Sequence, residues 1–225
     1  MKSVLISGGT VRLGKAIAER LRAEGWRVIT SSHRADAGAD IVADLSEPMG
    51  AAKLYAAALQ MLGGTPPDAL VNNAALFTGD AAAITAVNLE APKKLTTLMA
   101  GRETGVGAVV NILDSVVLGP VGSEVSTPSD VKDSKDPKEP YLASKCALHA
   151  FTRSAAATFA ATLRVNGVAP GPVMAPTDVH EKAGEMLLDR RPTPDDVAAA
   201  VSYLLSAEST TGVIIPVDAG QHLLH

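Results

Sequence analysis

The sequence predicts one doubly wound α/β domain spanning residues 1–225, built on a parallel seven-stranded sheet with helices on both faces. Three observations carry that expectation. Short β-branched runs alternate with alanine-rich stretches of helical pattern along the chain. The apolar runs are continuous rather than alternating, as expected of strands buried on both faces of a parallel sheet. The 225 residues suffice for one full core.

The elements follow in order. A strand over Ser3–Ser7 runs into Gly8 and Gly9, and a helix is expected over Leu13–Glu24. Strands at Arg27–Ser31 and Ile41–Val42 precede a helix over Gly50–Leu62. A strand at Ala69–Asn72, a helix over Ala81–Met99 and a strand at Ala108–Ile112 form the centre. "GPVGSEVSTPSDVKDSKDPKEP", Gly119 to Pro140, is too rich in Gly, Pro, Ser and charge to add core, so a long loop is expected there. A helix over Tyr141–Ala161 leads to a strand at Arg164–Val168. The last helix, Pro194–Leu205, has a clear start: Thr193, then Pro194, with Asp195 and Asp196 in the first turn. Val213–Pro216 closes the sheet. In such folds ligands bind beyond the carboxyl ends of the strands.

Composition narrows the function classes. A net charge of −4 and 3% aromatic residues leave no footprint for nucleic acid. The lone cysteine, Cys146, gives no internal disulfide and suits a reducing cytoplasm. The opening "MKSVLISGG" is too short an apolar run for a signal peptide or membrane span, and no later run reaches spanning length, so no membrane partner is expected. His149, His180, His222 and His225 have no metal-ligand spacing with Cys146, and no metal site is expected.

"VLISGGTVRLGKAIAERL" passes from strand through a glycine turn into a helix. Gly8, Gly9 and Gly14 allow tight turning and close backbone approach, and a helix N-terminus offers N–H groups to a pyrophosphate. The end of the second strand distinguishes the dinucleotides. An acid there would bond a ribose 2′-hydroxyl. Here Ser31, Ser32, His33 and Arg34 face that position, and a guanidinium makes forked contacts to a 2′-phosphate, so NADP(H) is the expected cofactor. Asp36 is the contrary signal, because it reaches the ribose if the strand runs longer.

"YLASKCALHAF" places Tyr141 and Lys145 four residues apart on one helix face. An ammonium near a phenol is expected to lower the tyrosine pKa from about 10, making a general acid or base.

Together with "LVNNAA" and "NGVAPG", these motifs resemble the short-chain dehydrogenase/reductase family in order over essentially the whole chain. The turn is similar to that family's TGxxxGxG, with Ser7 for the threonine and Arg12 for the middle glycine. The resemblance implies a Rossmann-type fold, in which Gly8, Thr10, Arg12 and Leu13 hold the pyrophosphate. It places Asp44, Leu45, Asn72 and Ala74 in segments that line the adenine side and stabilise the sheet, and Pro170, Gly171 and Val173 beside the nicotinamide. It also implies that Tyr141 exchanges the proton, that Lys145 holds the nicotinamide ribose, and that Asn88 anchors a water relay to the lysine. Its tail and Tyr141 helix imply a homotetramer.

"VVNILDSVVLG" departs from the usual family pattern, with Asp114 where most members carry serine. That aspartate is similar to the one in pteridine reductases, as are Arg12 in the glycine turn, His33–Arg34 after the second strand, and Phe77 three residues after "NNA". The resemblance implies a pterin stacked between Phe77 and the nicotinamide, near Arg12, Asp114 and Tyr141. The expected activity is NADPH-dependent reduction of a dihydropterin or dihydrofolate-like substrate. The alternatives are an NADPH-dependent carbonyl or 3-oxoacyl reductase, with Ser115 taking the serine role, and a non-catalytic NADP(H)-sensing protein. Three features depart from pteridine reductases: Ala75, the inserted Gly119–Pro140 loop, and the short segment after Gly171.

Overall fold

The computed structural model describes residues 1–119, 139–174 and 185–224. Seven strands form one sheet in the order β3-β2-β1-β4-β5-β6-β7, and every neighbouring pair is parallel. They are β1 Ser3–Ser7, β2 Arg27–Ser32, β3 Ile41–Val42, β4 Ala69–Asn72, β5 Gly107–Ile112, β6 Leu163–Pro170 and β7 Ile214–Val217. Because successive side chains point to opposite faces, the sheet divides the core in two. Leu5, Ile29, Leu70 and Val109 pack beneath helices α2 (Gly50–Met61), α4 (Ala91–Ala100) and α5 (Glu139–Thr158). Val4, Ile6, Val71 and Val110 pack beneath α1 (Arg12–Ala23) and α6 (Pro194–Ser206). This is the doubly wound, Rossmann-type arrangement. The order reverses between β1 and β4, which opens a crevice at their carboxyl ends.

The start of α6 is as expected. Thr193 accepts from the Asp196 N–H, Asp196 accepts from the Thr193 N–H, and Pro194 sits in the first turn, where its missing donor costs nothing.

The expected continuous helix over Ala81–Met99 is corrected. It is broken into α3 (Ala81–Thr85), a π-turn at Ala86–Glu90, and α4. Pro92 supplies the physical reason. A proline ring in a regular helix clashes with the carbonyl four residues back, which here belongs to Asn88. The wider turn relieves that clash, with the Ala91 N–H reaching back to the Ala86 carbonyl. Helix α5 starts at Glu139, so the last two residues of the expected loop Gly119–Pro140 form its first turn, while residues 120–138 lie outside the described residues. Most of the short segment after Gly171, residues 175–184, also lies outside them.

The β1–α1 turn requires glycine at two positions. Gly8 has φ +67°, and a Cβ on Gly14 would stand 2.0 Å from the Gly8 carbonyl oxygen. Arg12 has φ +49° in the same turn, a left-handed conformation that costs a non-glycine residue about 1–2 kcal/mol. Arg12→Gly is therefore expected to stabilise the cofactor-free chain by up to about 1 kcal/mol in denaturant unfolding. An unchanged or lowered midpoint would show that Arg12 is not strained.

Candidate active site

The crevice is a cleft of about 920 Å³. Gly8, Thr10, Arg12 and Leu13 form its floor at the start of α1, and His33 and Arg34 close one end beyond β2. Asp44, Leu45 and Ala74 line the adjoining wall. Phe77, Asp114, Tyr141 and Lys145 meet Pro170, Gly171 and Val173 at the other end.

The floor suits an anion. Val11 provides no side-chain cap to α1, its first turn holds no acidic residue, and Arg12 adds a positive charge. Adding a Cβ to Gly8 or Gly14 would fill this cradle with contacts to Ala74, the Gly8 carbonyl and the Asn73 amide. Ser7 Oγ accepts from the Asn73 and Ala74 N–H groups, and Asn73 Nδ2 donates to the Ser7 and Gly8 carbonyls. The end of β4 is thereby tied to the glycine turn. These residues fit a dinucleotide pyrophosphate.

At the far end β2 stops at Ser32, so Asp36 falls on a short 3-10 turn rather than on the strand. Its carboxylate takes both arms of the Arg34 guanidinium, Nε at 3.0 Å and Nη2 at 2.8 Å. The pairing raises the Arg34 pKa and lowers that of Asp36. Asp44 accepts from the Ser46 N–H and hydroxyl, bonds that lower its pKa.

The chemistry-bearing end is built by β5 and α5. Tyr141 donates its hydroxyl to Asp114 Oδ2 at 2.6 Å, while Asp114 Oδ1 accepts from the Val116 N–H. The aspartate thus caps a turn and holds the phenol at once. Ser115, buried in that turn, is not among the cleft residues. Lys145 is buried and donates to the Ile112 carbonyl at 2.8 Å. The Phe77 ring stands 4.7 Å from the Tyr141 ring, tilted by 58°, and Phe77, 45% exposed, is among the residues lining the cleft.

Two expectations are corrected. The Tyr141 pKa is not lowered. Burial first, then the charge and hydrogen bond of Asp114, push it well above its ordinary value. The shift falls instead on Lys145, which burial lowers to about 8 against the attraction of Asp114. Asn72 does not reach the cleft. It is buried between β4 and β5, where Nδ2 donates to Asn111 Oδ1 at 2.8 Å. The Asn88 amide bonds the Leu76 backbone and Ser144. Ser144, Asn111 and Thr152 are the supporting residues that sequence reasoning missed. Only Ser144 had a signal, lying three residues after Tyr141 on the same helix. Among the described residues no cluster of three or more His, Cys, Asp or Glu suits a metal ion, and no helix is long and apolar enough to cross a membrane.

Residues 11–222 match the family model described as Enoyl-(Acyl carrier protein) reductase. A Streptomyces violaceoruber protein named as a ketoacyl reductase of the granaticin polyketide synthase is 32% identical over 254 residues, covering 98% of this chain and 96% of that protein. The NADP complex of FolM alternative dihydrofolate reductase 1 from Brucella canis superposes with a TM-score of 0.80 at 31% identity, over 99% of this chain and 94% of that one. The NADH complex of 3-alpha-hydroxysteroid dehydrogenase from Pseudomonas sp. B-0831 gives a TM-score of 0.82 at 26% identity, over 99% and 98%. The chain belongs to the short-chain dehydrogenase/reductase family, whose members use a nicotinamide cofactor, and is an NAD(P)-dependent oxidoreductase.

Two pH effects follow for the cofactor-free protein. Between about pH 8 and pH 10 the folded Lys145 has lost its proton, while in the unfolded chain, with an ordinary value of 10.5, it has not. Unfolding then takes up a proton, so stability rises with pH in this window, by at most about 3 kcal/mol. Denaturant melts across that range are expected to show the rise, and Lys145→Met to abolish it. Separately, Asp114→Asn removes the charge that holds the phenol proton, so Tyr141 is expected to form phenolate at lower pH than in the parent, read by its ultraviolet absorbance. An unchanged titration would contradict the coupling.

Proposed function

We propose that this protein is an NADPH-dependent reductase of a pterin, acting on a dihydropterin or dihydrofolate-like substrate. The observation that carries this reading is the Asp114 carboxylate on the Tyr141 hydroxyl at 2.6 Å, facing Phe77 across the cleft end. Similarity to FolM alternative dihydrofolate reductase 1 supports it.

Gly8, Thr10, Arg12 and Leu13 would hold the pyrophosphate, and Asp44, Leu45 and Ala74 the adenine side. His33 and Arg34 would take the 2′-phosphate, the guanidinium exchanging or sharing its Asp36 partner. Tyr141, Lys145, Pro170, Gly171 and Val173 would surround the nicotinamide end. The bound dinucleotide supplies the hydride that the substrate carbon receives.

The chain's own residues supply the proton. Reduction of a ring C=N bond leaves a nitrogen that needs one. Tyr141, its hydroxyl held by the Asp114 carboxylate, gives its proton to that nitrogen and takes one back from solvent water. Phe77 offers a face for a flat heterocycle, worth on the order of 1 kcal/mol beyond burial. By family likeness the chain works as one reductase domain in a cytoplasmic homotetramer.

A second reading, an NADPH-dependent carbonyl or 3-oxoacyl reductase, is supported by the granaticin relative. A non-catalytic NADP(H) sensor would need neither Tyr141 nor Lys145. NADPH oxidation is expected with dihydrobiopterin or dihydrofolate, and Asp114→Ser is expected to lower kcat/KM for the pterin by about 10- to 100-fold. Turnover of a 3-oxoacyl thioester but of neither pterin would establish the second reading, and turnover of none would favour the sensor.

A further inference from the structure

The end of the cleft beyond β2 holds an ion pair that the proton chemistry does not use. β2 stops at Ser32 and the chain turns at once. The Arg34 N–H donates to Ser32 Oγ at 3.1 Å, and the Ala37 N–H to the Arg34 carbonyl at 3.3 Å. This tight 3-10 turn, closed by Gly38 at φ +66°, brings Asp36 back onto the side chain two residues before it. Arg34 Nε donates to Asp36 Oδ1 and Nη2 to Oδ2, one N–H for each oxygen. A guanidinium holds a phosphate in the same forked way. The fork is made here with a carboxylate, and it needs no ligand to form.

The surrounding charge does not favour a further anion. Arg34 lines this end of the cleft together with two carboxylates, Asp36 and Asp44. His33 lies close enough that its charge, when protonated, acts on both of them. Asp44 is served by the Ser46 N–H and hydroxyl, whereas both oxygens of Asp36 are on Arg34. A 2′-phosphate arriving at Arg34 therefore meets a neutralised cation, and must displace the carboxylate or share the guanidinium with it. NAD carries a hydroxyl at that place, asks nothing of Arg34, and leaves the pair as it is.

We infer that Asp36 is a specificity-determining residue that acts through Arg34: it holds the guanidinium as an internal substitute for the 2′-phosphate and so narrows the chain's preference for NADP over NAD. This rests on the reading of Arg34 as the 2′-phosphate contact. The role is the opposite of an acid that bonds the ribose, because removing Asp36 strengthens NADP binding and leaves NAD binding alone. The two side chains are 62% and 70% exposed, and an ion pair so open to water is weak, so the narrowing is a matter of a few-fold.

The test uses the full chain and the variants Asp36→Asn, Arg34→Leu and the two combined. Asp36→Asn keeps the shape of the side chain and removes its charge, and both positions are exposed enough that the fold is not at risk. Calorimetric titration gives the Kd of NADP+ and of NAD+, and nitrogen-15 NMR of the cofactor-free chain gives the rate at which the Arg34 Nε–H exchanges with water. Asp36→Asn is expected to lower the NADP+ Kd by about three- to fivefold, to leave the NAD+ Kd within about twofold, and to speed Nε–H exchange a few-fold. The gain for NADP+ is expected to shrink or vanish when Arg34→Leu is already present. A loss of NAD+ affinity in Asp36→Asn would overturn the inference, since Asp36 would then serve the ribose directly. A gain for NADP+ that persists in full without Arg34 would overturn it too, by showing plain repulsion of the phosphate. If Arg34→Leu weakens NADP+ while Asp36→Asn leaves it unchanged, the inference alone falls. If Arg34→Leu leaves NADP+ binding as it was, the assignment of Arg34 to the phosphate falls and takes the inference with it.

Discussion

The site depends on the register of one helix against one strand. Three hydrogen bonds set it. Asn111 Nδ2 donates to Thr152 Oγ1 at 2.9 Å, Lys145 Nζ to the Ile112 carbonyl at 2.8 Å, and the Tyr141 hydroxyl to Asp114 at 2.6 Å. As β5 and its continuation climb from 111 to 114, α5 descends from 152 to 141, so each rung is one step nearer the cleft. Apolar packing alone would tolerate a helix sliding by a fraction of a turn, because it is not directional. Polar rungs in a buried setting do not, since each shifted group would be left unpaired. Asn72 extends the ladder into β4 through Asn111, so the strand bordering the crevice shares the same reference point.

This ladder explains why an aspartate follows an apolar strand. Desolvating a carboxylate without partners is costly, but Asp114 stands only half-buried at the strand's end. One oxygen takes a backbone N–H and the other takes a phenol. Its neighbours are more deeply buried. Burial and Asp114 together hold the phenol protonated, while burial of the lysine, 3% exposed, makes it give up its proton more readily than in water, against the attraction of Asp114. Tyr141 and Lys145 are thus shifted in opposite directions, an arrangement that suits proton transfer more than stability.

The strands were legible in the sequence to within about a residue or two, because a buried parallel strand is a short apolar run and little else matches it. The start of α6 was equally legible, since Thr193, Pro194 and Asp196 act through local chemistry. The π-turn was not. Its cause, Pro92, lies within a stretch whose apolar pattern stays helical on both sides, and pattern does not report a hydrogen bond shifted by one residue. The cofactor contact of Asn72 was misplaced for a different reason. Its partner Asn111 is distant in sequence and lies on another strand, and an asparagine by itself does not say which group it will bond. The direction of the Tyr141 shift failed likewise. Helix spacing put Lys145 on the same face, yet the lysine turns to a carbonyl and leaves Asp114 as the phenol's partner.

In the proposed reaction the cleft, the glycine floor and the Asp114–Tyr141 pair would serve hydride and proton addition to a C=N bond in a flat ring. The most direct measurement is isotope transfer. NADPH carrying deuterium at the reactive face of its nicotinamide C4 is incubated with the protein and dihydrobiopterin in ordinary water, and the product is examined by mass spectrometry and proton NMR. The account predicts tetrahydrobiopterin with one deuterium on ring carbon and an ordinary proton on the adjacent nitrogen. Recovery of unlabelled dihydrobiopterin, with deuterium transferred instead to the carbinol carbon of a 3-oxoacyl substrate supplied in parallel, would contradict it.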